Sequence, residues 1–330
     1  MQNSGIDHDM DTKPTSPLKT SPLKTSPLKA GVIGAGVFAG FHANKYAELS
    51  DTQLTVVFDP NLAKAQELAD KHGAQATDDV AKLFKAVDVV TVASPADTHA
   101  EMALAALSAG KLVYVEKPLA TTVAEAERIV HFARTLPVAC GHQERAVFAA
   151  MGLLDVPVAP KRIVACREGA WSGRGADVSV TLDLMVHDLD LVTHLGVGTL
   201  QTVSAKAQRQ HSEFADHIVA DFTFAQTAVA LTASRMAEGR KRQMRLEYDT
   251  GHVFIDFVAR TFENTTPYDL NPNFADQPEA QDPLRTSVAA FVDTVLGRRQ
   301  RPLVTAAEAL EALRLAHMAD AKAVMTEPTA

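Results

Sequence analysis

Short apolar runs alternate with amphipathic segments through the first half of the chain. Most of the runs are rich in β-branched residues and end at glycine or polar residues, which is typical of buried strands. The predicted strands lie at 28–33, 54–58, 74–76, 88–92, 111–115 and 138–141. Helices are predicted between them, at 37–49, 62–71, 79–85, 97–109 and 122–134. Because apolar strands that alternate with helices form a parallel sheet covered on both faces, residues 29–142 are predicted to be a doubly wound α/β domain.

The second half of the chain shows consecutive strand-like runs joined by short polar connections. These runs lie at 162–167, 202–208, 218–224, 228–235, 244–248 and 252–257. Asp249, Thr250 and Gly251 are typical of a hairpin turn. Helices are predicted at 181–195, 283–296 and 306–324, and 263–282 is predicted to be a long loop. Residues 143–330 are therefore predicted to be an α+β domain with a large, mostly antiparallel open sheet.

A tandem repeat precedes the first predicted strand. Residues 15–29 read TSPLK three times, and each repeat contains one proline and a single large apolar residue. Such a segment buries too little apolar surface to offset the entropy of ordering it. Residues 1–28 are therefore predicted to be a disordered tail. The serines that precede the prolines leave a second interpretation open, in which the tail is a docking or phosphorylation segment.

Composition and charge narrow the class of protein further. The chain has 330 residues, of which 46% are hydrophobic and 22% are charged, the balance of a globular protein with roughly two domains. A net charge of −8 lacks the basic field of a typical nucleic-acid-binding protein, and two cysteines exclude a disulfide scaffold. The sequence has no apolar run of the ~18 residues that a membrane span needs, and its polar start lacks a signal-peptide pattern. We therefore expect a cytoplasmic protein that binds neither nucleic acid nor a membrane.

A glycine-rich turn follows the first predicted strand. Gly34, Gly36 and Ala39 fit the pattern G-x-G-x-x-G/A, with Val37 and Phe38 at the start of the next helix. In this pattern the glycines permit a tight turn and a close approach of the backbone to a pyrophosphate. The N–H groups and the positive end of the helix then hold the phosphates. The sequence therefore predicts a dinucleotide site of the Rossmann type, for which the alternative is a glycine turn without a ligand.

An acidic residue at the end of the second predicted strand indicates which dinucleotide is bound. Asp59 lies 25 residues after Gly34, where a carboxylate can accept hydrogen bonds from the adenosine ribose hydroxyls. A 2′-phosphate at this point would be repelled by the carboxylate, so NAD is expected rather than NADP. The alternative is that Asp59 only caps the helix that starts near Asn61.

The residues that follow the fourth and fifth predicted strands lie at the cofactor edge of a parallel sheet. Ser94 and Pro95 are expected to line the nicotinamide–ribose end, with His99 beside them or packed within the following helix. Glu116 and Lys117 are expected at the same end, and Pro118 restricts the backbone of Lys117. A lysine removed from water can exchange a proton near neutral pH. The alternative for Lys117 is a solvated surface lysine.

Together with Asp183–His187, these motifs resemble the Gfo/Idh/MocA oxidoreductases. The resemblance runs from about residue 28 to the C-terminal helix and leaves out only the repeat tail. It implies an NAD(P)-dependent dehydrogenase that acts on the CH–OH groups of sugars, cyclitols or sugar derivatives, in a homodimer or homotetramer. It also implies that Lys117, Asp183 and His187 are the catalytic residues. The second domain would then bind the substrate and form the oligomer.

The chemistry of these three residue types agrees with the implied reaction. Histidine is the side chain best matched to accept a hydroxyl proton at neutral pH, so His187 is expected to be the general base. Lys117 would polarise the substrate oxygen, and Asp183 would bind a neighbouring hydroxyl or orient His187. Lys117 as the base, assisted by His187, is the alternative. Asp183 and His187 are spaced to share a helix face, which Asp190 and His194 extend. A metal site on this stripe is less favoured, since a cation would repel Lys117.

A narrower resemblance concerns the residues around the predicted substrate pocket. Segments 141–145, 172–178 and 182–190 resemble the branch that contains UDP-N-acetylglucosamine 3-dehydrogenases. This resemblance implies oxidation of the 3-hydroxyl of a nucleotide sugar, although 146–147 departs from that branch. Three arginines are candidates for diphosphate or sugar contacts, or else for salt bridges: Arg145, Arg174 and Arg235. The alternative functions are a cyclitol dehydrogenase, another carbonyl reductase, or a non-catalytic dinucleotide sensor.

Overall fold

A computed structural model describes residues 26–173 and 175–326 of the chain. Most of the predicted tail, residues 1–25, lies outside this described part. The first strand begins at Leu28, which is buried, so the last residue assigned to the tail belongs to the folded domain. None of the described helices is long and apolar enough to cross a membrane.

Six parallel strands form the sheet of the N-terminal domain, in the order β3-β2-β1-β4-β5-β6. The strands are β1 (Leu28–Ile33), β2 (Thr52–Phe58), β3 (Gln75–Thr77), β4 (Val89–Val92), β5 (Leu112–Val115) and β6 (Val138–Cys140). The helices are α1 (Val37–Glu48), α2 (Leu62–Asp70), α3 (Val80–Ala86), α4 (His99–Ser108) and α5 (Val123–Phe132). The prediction of a doubly wound α/β domain is confirmed. The strand order reverses between β1 and β4, and ligands bind at such a reversal.

The C-terminal domain contains an eight-stranded sheet in the order β13-β12-β11-β7-β10-β9-β8-β14. Its strands are β7 (Arg162–Glu168), β8 (Leu200–Gln208), β9 (His217–Phe224), β10 (Ala228–Ser234), β11 (Lys241–Tyr248), β12 (Gly251–Asp256), β13 (Thr261–Asn264) and β14 (Ala323–Met325). All neighbours pair antiparallel except β7 with β10 and β8 with β14. The prediction of a mostly antiparallel sheet is therefore confirmed.

The helices of the second half connect the two domains. They are α6 (Glu144–Met151), α7 (Val186–Thr193), α8 (Pro278–Gln281), α9 (Pro283–Val295) and α10 (Ala306–Lys322). A π-helical stretch, Thr181–Met185, leads directly into α7. Helix α9 packs against α1 and β5 of the N-terminal domain, and α10 packs against both α5 and α7. Residues near the C-terminus therefore complete the core of the N-terminal domain.

The predicted loop at 263–282 is the clearest difference between the sequence pattern and the structure. It contains the end of β13 and the short helix α8. Pro278 stands in the first turn of α8 and Pro283 in the first turn of α9, positions where proline's missing N–H group costs nothing. Pro278 within the predicted loop is thus a helix start, and Pro283 begins the helix that was predicted there.

Candidate functional site

The glycine turn after β1 forms an open cradle at the start of α1. Gly34 has a φ of +104°, and a Cβ there would lie 2.8 Å from the carbonyl oxygen of Ala93, so only glycine fits. Over Gly36, by contrast, no atom lies within 4 Å of where a Cβ would stand. This is the space that a pyrophosphate needs above the N–H groups of α1. The cavity here measures about 340 Å³ and is lined by Gly34, Ala35, Gly36, Val37, Phe38, Asp59, Lys64, Ala93, Ser94 and Pro95.

Asp59 fixes this cradle to the end of β2. Its Oδ2 accepts a hydrogen bond from the backbone N–H of Ala35 at 2.9 Å, and its Oδ1 accepts one from Asn61 at 2.9 Å. The side chain of Asn61, not that of Asp59, caps α2 by accepting from the N–H groups of Ala63 and Lys64. The carboxylate of Asp59 keeps lone pairs that face the cavity for ribose hydroxyls. The lining of this cavity therefore suits the pyrophosphate and ribose of NAD.

The turn after β4 is joined to the turn after β5 by His99. This buried ring lies between two carbonyl oxygens, with Nδ1 2.7 Å from Pro118 O and Nε2 2.9 Å from Ser94 O. Burial lowers the pKa of His99, so one nitrogen donates at neutral pH. Both ring nitrogens thus face the protein, and His99 supports the cradle through its packing. Ser94 and Pro95 themselves line the cavity.

Glu116 lies beneath the site and not in the cofactor cavity. Its Oε1 is 2.7 Å from Nε2 of His42 and accepts a hydrogen bond from Nε2 of Gln143 at 2.7 Å. Burial opposes ionisation, but the hydrogen bond and charge of His42 outweigh it and lower the pKa of Glu116. A Cβ at Gly141 would lie 2.7 Å from Oε2 of Glu116, so residue 141 must be glycine. Glu116 therefore holds the turn that carries Lys117, a role other than the expected cofactor contact.

Lys117 reaches from the N-terminal domain to the C-terminal domain. Its Nζ donates to Oδ1 of Asp183 at 2.9 Å and to the backbone oxygen of Asp183 at 2.8 Å. Burial acts to raise the pKa of Asp183, but the charge and hydrogen bond of Lys117 outweigh it, so the pKa lies below its usual range. Asp183 stands in the π-helical stretch, whose longer turn changes the register before α7. Asp183 and His187 therefore have different ion-pair partners, Lys117 for Asp183 and a second residue for His187, while the charge of His187 also lowers the pKa of Asp183.

The partner of His187 is Glu144, which the sequence did not indicate as a site residue. Nδ1 of His187 lies 3.0 Å from Oε2 of Glu144, although the ring is turned out of line for a hydrogen bond. Burial lowers the pKa of His187, and the charge of Glu144 opposes that lowering. The available signal was the position of Glu144 within 141–145, a segment that already resembled a known branch.

Arg167 holds Glu144 in place. Its Nη1 and Nη2 donate to the two carboxylate oxygens of Glu144 at 2.8 and 3.1 Å, and it pairs in the same forked manner with Asp188. Burial acts to raise the pKa of Glu144, but the charges of Arg167 and His187 hold it well below its usual range. Glu144 is therefore an anion at neutral pH in the folded protein.

A second histidine lies beside His187. The rings of His142 and His187 are 5.9 Å apart and nearly perpendicular. Neither nitrogen of His142 has a hydrogen-bond partner among the described residues, and burial lowers its pKa to about 4. His142 is therefore uncharged and only weakly basic near neutral pH, and unlike His187 it has no carboxylate beside its ring among the described contacts.

The arginines expected to contact a substrate have internal partners instead. Arg145 is buried and pairs with Asp190, while its Nη1 donates to Leu303 O and lies 3.0 Å from Glu308. Its position corresponds to the salt-bridge alternative, as does that of Asp190. His194 contacts the backbone oxygen of Asp190 and the Glu308 carboxylate, so it also has a structural role.

Arg235 is likewise buried and bonded within the protein. It pairs with Asp216 at 2.7 Å and donates to the carbonyl oxygens of Gly175 and Val178. These bonds hold the loop before Asp183 in place and correspond to the salt-bridge alternative for Arg235. Arg174 lies outside the described residues.

A cavity larger than the cradle lies away from these groups. It measures about 710 Å³ and lies at the start of β7, lined mainly by 153–159, 194–196 and the hairpin turn 248–250. Lys117, Asp183 and His187 are not among its lining residues. Since function follows from chemistry and not from size, we place the site at the smaller cradle and the groups next to it. Within the described residues, no group of three or more His, Cys, Asp or Glu side chains is arranged to hold a metal ion.

Both halves of the chain match models of one protein family. A model described as an oxidoreductase family with an NAD-binding Rossmann fold, GFO/IDH/MocA, matches residues 28–143. A model of the GFO/IDH/MocA C-terminal domain matches residues 160–253. The first match covers the whole N-terminal sheet, the second covers the C-terminal sheet from β7 into β12, and Lys117 and Asp183 each lie within one of the two.

Individual relatives agree with this result. The UDP-N-acetylglucosamine 3-dehydrogenase of Acidithiobacillus ferrooxidans is 33% identical over 281 residues, which are 78% of this chain and 89% of the relative. Its solved structure superposes with a TM-score of 0.81, covering 90% of this chain and 98% of that one. The dehydrogenase WlbA from Bordetella pertussis, solved with NADH and UDP-GlcNAcA, has a TM-score of 0.77 at 17% identity and covers 91% of this chain and 96% of its own. That second likeness concerns the fold alone.

Proposed function

The chain belongs to the GFO/IDH/MocA family of NAD-binding oxidoreductases, and on this premise we propose that it oxidises the 3-hydroxyl of a UDP-linked amino sugar such as UDP-N-acetylglucosamine. Family membership makes it an NAD-dependent dehydrogenase that acts on CH–OH groups of sugars or nucleotide sugars. The choice of a nucleotide sugar is supported by the Acidithiobacillus relative, whose likeness extends through both domains. The observation that carries the site assignment is the Lys117–Asp183 ion pair, since it joins a group from each domain.

The cradle supplies the cofactor's binding groups. The Gly34–Gly36 turn and the first N–H groups of α1 would hold the pyrophosphate, and Asp59 would accept hydrogen bonds from the ribose. When bound, NAD accepts the hydride that leaves the carbinol carbon. Pro95 and Ser94 close the side of the cavity next to the turn of Lys117.

Lys117 polarises the substrate oxygen in this proposal. An ammonium group has three N–H donors, and two of them are directed to Asp183. The third is left for the hydroxyl oxygen, where the fixed positive charge stabilises the negative charge that develops during oxidation. Asp183 holds Lys117 in this position and neutralises it in the resting enzyme. The alternative that Asp183 orients His187 is not supported by its contacts.

His187 accepts the proton of the substrate hydroxyl. Its Nδ1 faces Glu144, so the lone pair for the substrate belongs to Nε2. Its side chain is 13% exposed, which keeps competing water away while leaving an edge of the ring accessible. The alternative base is Lys117, whose Nζ already donates two hydrogen bonds to Asp183.

Two variants separate these assignments. Replacing His187→Asn should lower kcat by about 10²–10⁴-fold and remove the acidic limb of the pH–rate profile. Replacing Lys117→Arg keeps the charge but not the position, so it should lower kcat and leave that limb in place. Near-normal turnover of the His187 variant would contradict its role as base. Loss of the limb only in the Lys117 variant would make Lys117 the base.

The substrate class is tested by following NADH formation with a panel of UDP-sugars, free sugars and inositols. We expect turnover with UDP-N-acetylglucosamine at a kcat/KM well above that for the unlinked sugars. The His187→Asn variant serves as the blank. Turnover with inositols alone would replace the nucleotide sugar by a cyclitol. Tight NADH binding without turnover of any compound would contradict the enzymatic assignment.

We also propose that the open face of the C-terminal sheet is covered by a second copy of the chain. On β9, buried Ile218 and Phe222 alternate with Val219, which is 37% exposed on the opposite face. One chain has a mass of 35.4 kDa, and light scattering should give at least twice that value. A Val219→Asp variant should shift the mass towards one chain, and a monomeric parent protein would contradict the proposal.

A further inference from the structure

We propose that Glu144 is a positioning residue for catalysis, which holds His187 with its proton on Nδ1 and stabilises the imidazolium that forms during turnover. This inference rests on the proposed role of His187 as the base. Nothing in the sequence motifs or in the resemblance assigned a role to Glu144.

The first step in the argument is the contact itself. Glu144 begins α6 and His187 lies in the first turn of α7, and the two helices pack so that Oε2 and Nδ1 are 3.0 Å apart. Both side chains are largely shielded, with 19% and 13% exposed, so water screens their interaction little. The contact is not yet aligned as a hydrogen bond, and catalytic contacts of this kind tighten when substrate binds.

The second step concerns why Glu144 is suited to this role. A carboxylate next to a base must remain an anion, or the proton would move to it instead of staying on the imidazole. The forked hydrogen bonds from Arg167 secure that state, and Arg167 is itself held by Asp188. Arg167 is only 1% exposed, so water does not compete for these hydrogen bonds. The structure thus contains a buried chain of contacts from His187 through Glu144 and Arg167 to Asp188.

The third step is the absence of another carboxylate for this task among the described contacts. Asp183 is the acidic residue that the sequence offered, but its carboxylate accepts from Lys117. Asp190 is paired with Arg145. Glu144 is the carboxylate that meets the ring of His187.

The proton balance follows from these contacts. The substrate hydroxyl gives its proton to Nε2 of His187 while the hydride leaves the carbinol carbon, and the ring becomes a cation. Nδ1–H stays directed at Glu144, whose negative charge then faces a full positive charge. Glu144 itself gains no proton, because Arg167 holds its pKa well below the usual range.

The direction of the pH effect depends on every charge near the ring. Glu144 raises the pKa of His187, whereas burial lowers it. The charged or titratable groups that face the pair from the neighbouring elements are Lys117, His142, Arg167, Asp183, Asp188 and Arg242. Removing the Glu144 charge while keeping the others leaves His187 more weakly basic. The acidic limb of the kcat/KM profile should therefore move to lower pH in a Glu144→Gln variant.

The test combines kinetics with a measurement on the protein without turnover. In Glu144→Gln we expect kcat to fall about 10²-fold, with the KM for substrate changed much less. The Glu144→Asp variant should recover part of the loss, and Glu311→Gln, on the exposed face of α10, should behave as the parent protein. A Glu144→Gln enzyme with the parent's kcat and pH profile would overturn the proposal.

Nitrogen chemical shifts of His187 in the parent protein give the second readout, which requires no variant to fold. We expect the Nδ1–H tautomer to dominate above the pKa of the ring, and that pKa to fall in Glu144→Gln. A dominant Nε2–H tautomer in the parent protein would overturn the proposal. If His187→Asn keeps its turnover, the role of His187 as base is wrong. The tautomer measurement still reports separately whether Glu144 determines which ring nitrogen of His187 carries the proton.

Discussion

The cofactor cavity brings a negative and a positive side chain to the same end. Asp59 is held there by its hydrogen bonds to the backbone of Ala35 and Asn61, and Lys64 lines the wall beside it. A carboxylate favours ribose hydroxyls, whereas an ammonium group favours a phosphate. At this end of the cavity Asp59 therefore favours NAD, whereas the neighbouring Lys64 favours NADP.

Replacing Asp59→Ser should reverse this preference. We expect the affinity for NADH to fall about tenfold, because a charge-assisted hydrogen bond to ribose is lost, and the affinity for NADPH to rise, because Lys64 can then pair with the 2′-phosphate. Fluorescence titration with each cofactor measures both effects. In the double variant Asp59→Ser with Lys64→Ala, the gain for NADPH should disappear. Unchanged affinities for both cofactors in Asp59→Ser would contradict the assignment of the ribose site.

Single residues differ in how much of their role the sequence reveals. Gly34 and Gly36 could be placed from spacing alone, because a local turn determines what they do. Glu144 could not, because its role depends on two helices whose packing brings residues 43 positions apart together (187 − 144). Arg145 and Arg235 could not be assigned either, since a guanidinium that binds phosphate and one that closes a buried ion pair look alike in sequence.

At the scale of elements, three helices of the N-terminal domain, α2, α3 and α5, begin at side chains that cap them. Asp79 is an example: its Oδ1 accepts hydrogen bonds from the N–H groups of Ala81 and Lys82 at 2.9 and 3.3 Å. These bonds satisfy two donors that otherwise have no partner within α3. Leu83 of the same helix is fully buried under the sheet, so the cap also fixes a core contact.

Removal of this cap should be seen in stability alone. An Asp79→Ala variant should lose about 1 kcal/mol of unfolding free energy, with kcat unchanged, because α3 lies away from Lys117 and His187. Urea unfolding followed by circular dichroism gives the free energy. Asp79→Asn keeps an accepting oxygen and should remain within a few tenths of a kcal/mol of the parent protein. An equal loss in both variants would show that charge and not the cap is responsible.

Elements with strong periodicity were predictable, and short ones were not. The predicted strand at 28–33 and the helix at 37–49 agree with β1 and α1 to within a residue. Helix α6 was missed because its eight residues make little more than two turns, too few for a helical period to be recognised in the sequence. β14 was assigned to the end of α10, since Ala323–Met325 continues an apolar helical pattern and becomes a strand only by pairing with β8.

For the whole molecule, α9 is what makes two domains into one folding unit. Phe291 is fully buried and lies edge-to-face with Tyr114 of β5, at 5.9 Å between ring centres. The hydroxyl of Tyr114 is 2.9 Å from Oγ of Ser287, one turn earlier on the same helix. On the surface, Arg298 pairs with Asp51, which joins the end of α9 to the start of β2. We propose that the boundary near residue 142 separates the two sheets but does not separate two independent cores, because α9 lies after it and packs into the N-terminal core.

A Phe291→Ala variant should destabilise both domains together. We expect a loss of about 3–5 kcal/mol, because an aromatic ring is removed from a filled core. Fluorescence of Trp171, the one tryptophan of the chain, reports the C-terminal domain, and far-ultraviolet circular dichroism reports both. The two transitions should shift to lower denaturant by the same amount. A separate early transition seen only by circular dichroism would contradict a single unit.

The fold class could be predicted because it follows from local periodicity. The coupling of the two domains through α9 could not be predicted. Nothing in 283–295 indicates which sheet the helix packs on, since its apolar face would suit either. The contact between Lys117 and Asp183 is of the same kind. The sequence indicates the element on which Lys117 and Asp183 each lie, but their side chains meet only when the two domains pack together.

The packing of α9 on the N-terminal domain also has a consequence for folding during synthesis. β6 ends at Cys140 and α9 ends at Val295, so 155 further residues (295 − 140) leave the ribosome before the first core is complete. At about 5–20 residues per second, the nascent Rossmann sheet waits roughly 8–30 s with the place of Phe291 unfilled. During that interval Tyr114 and its neighbours are a natural binding site for a chaperone.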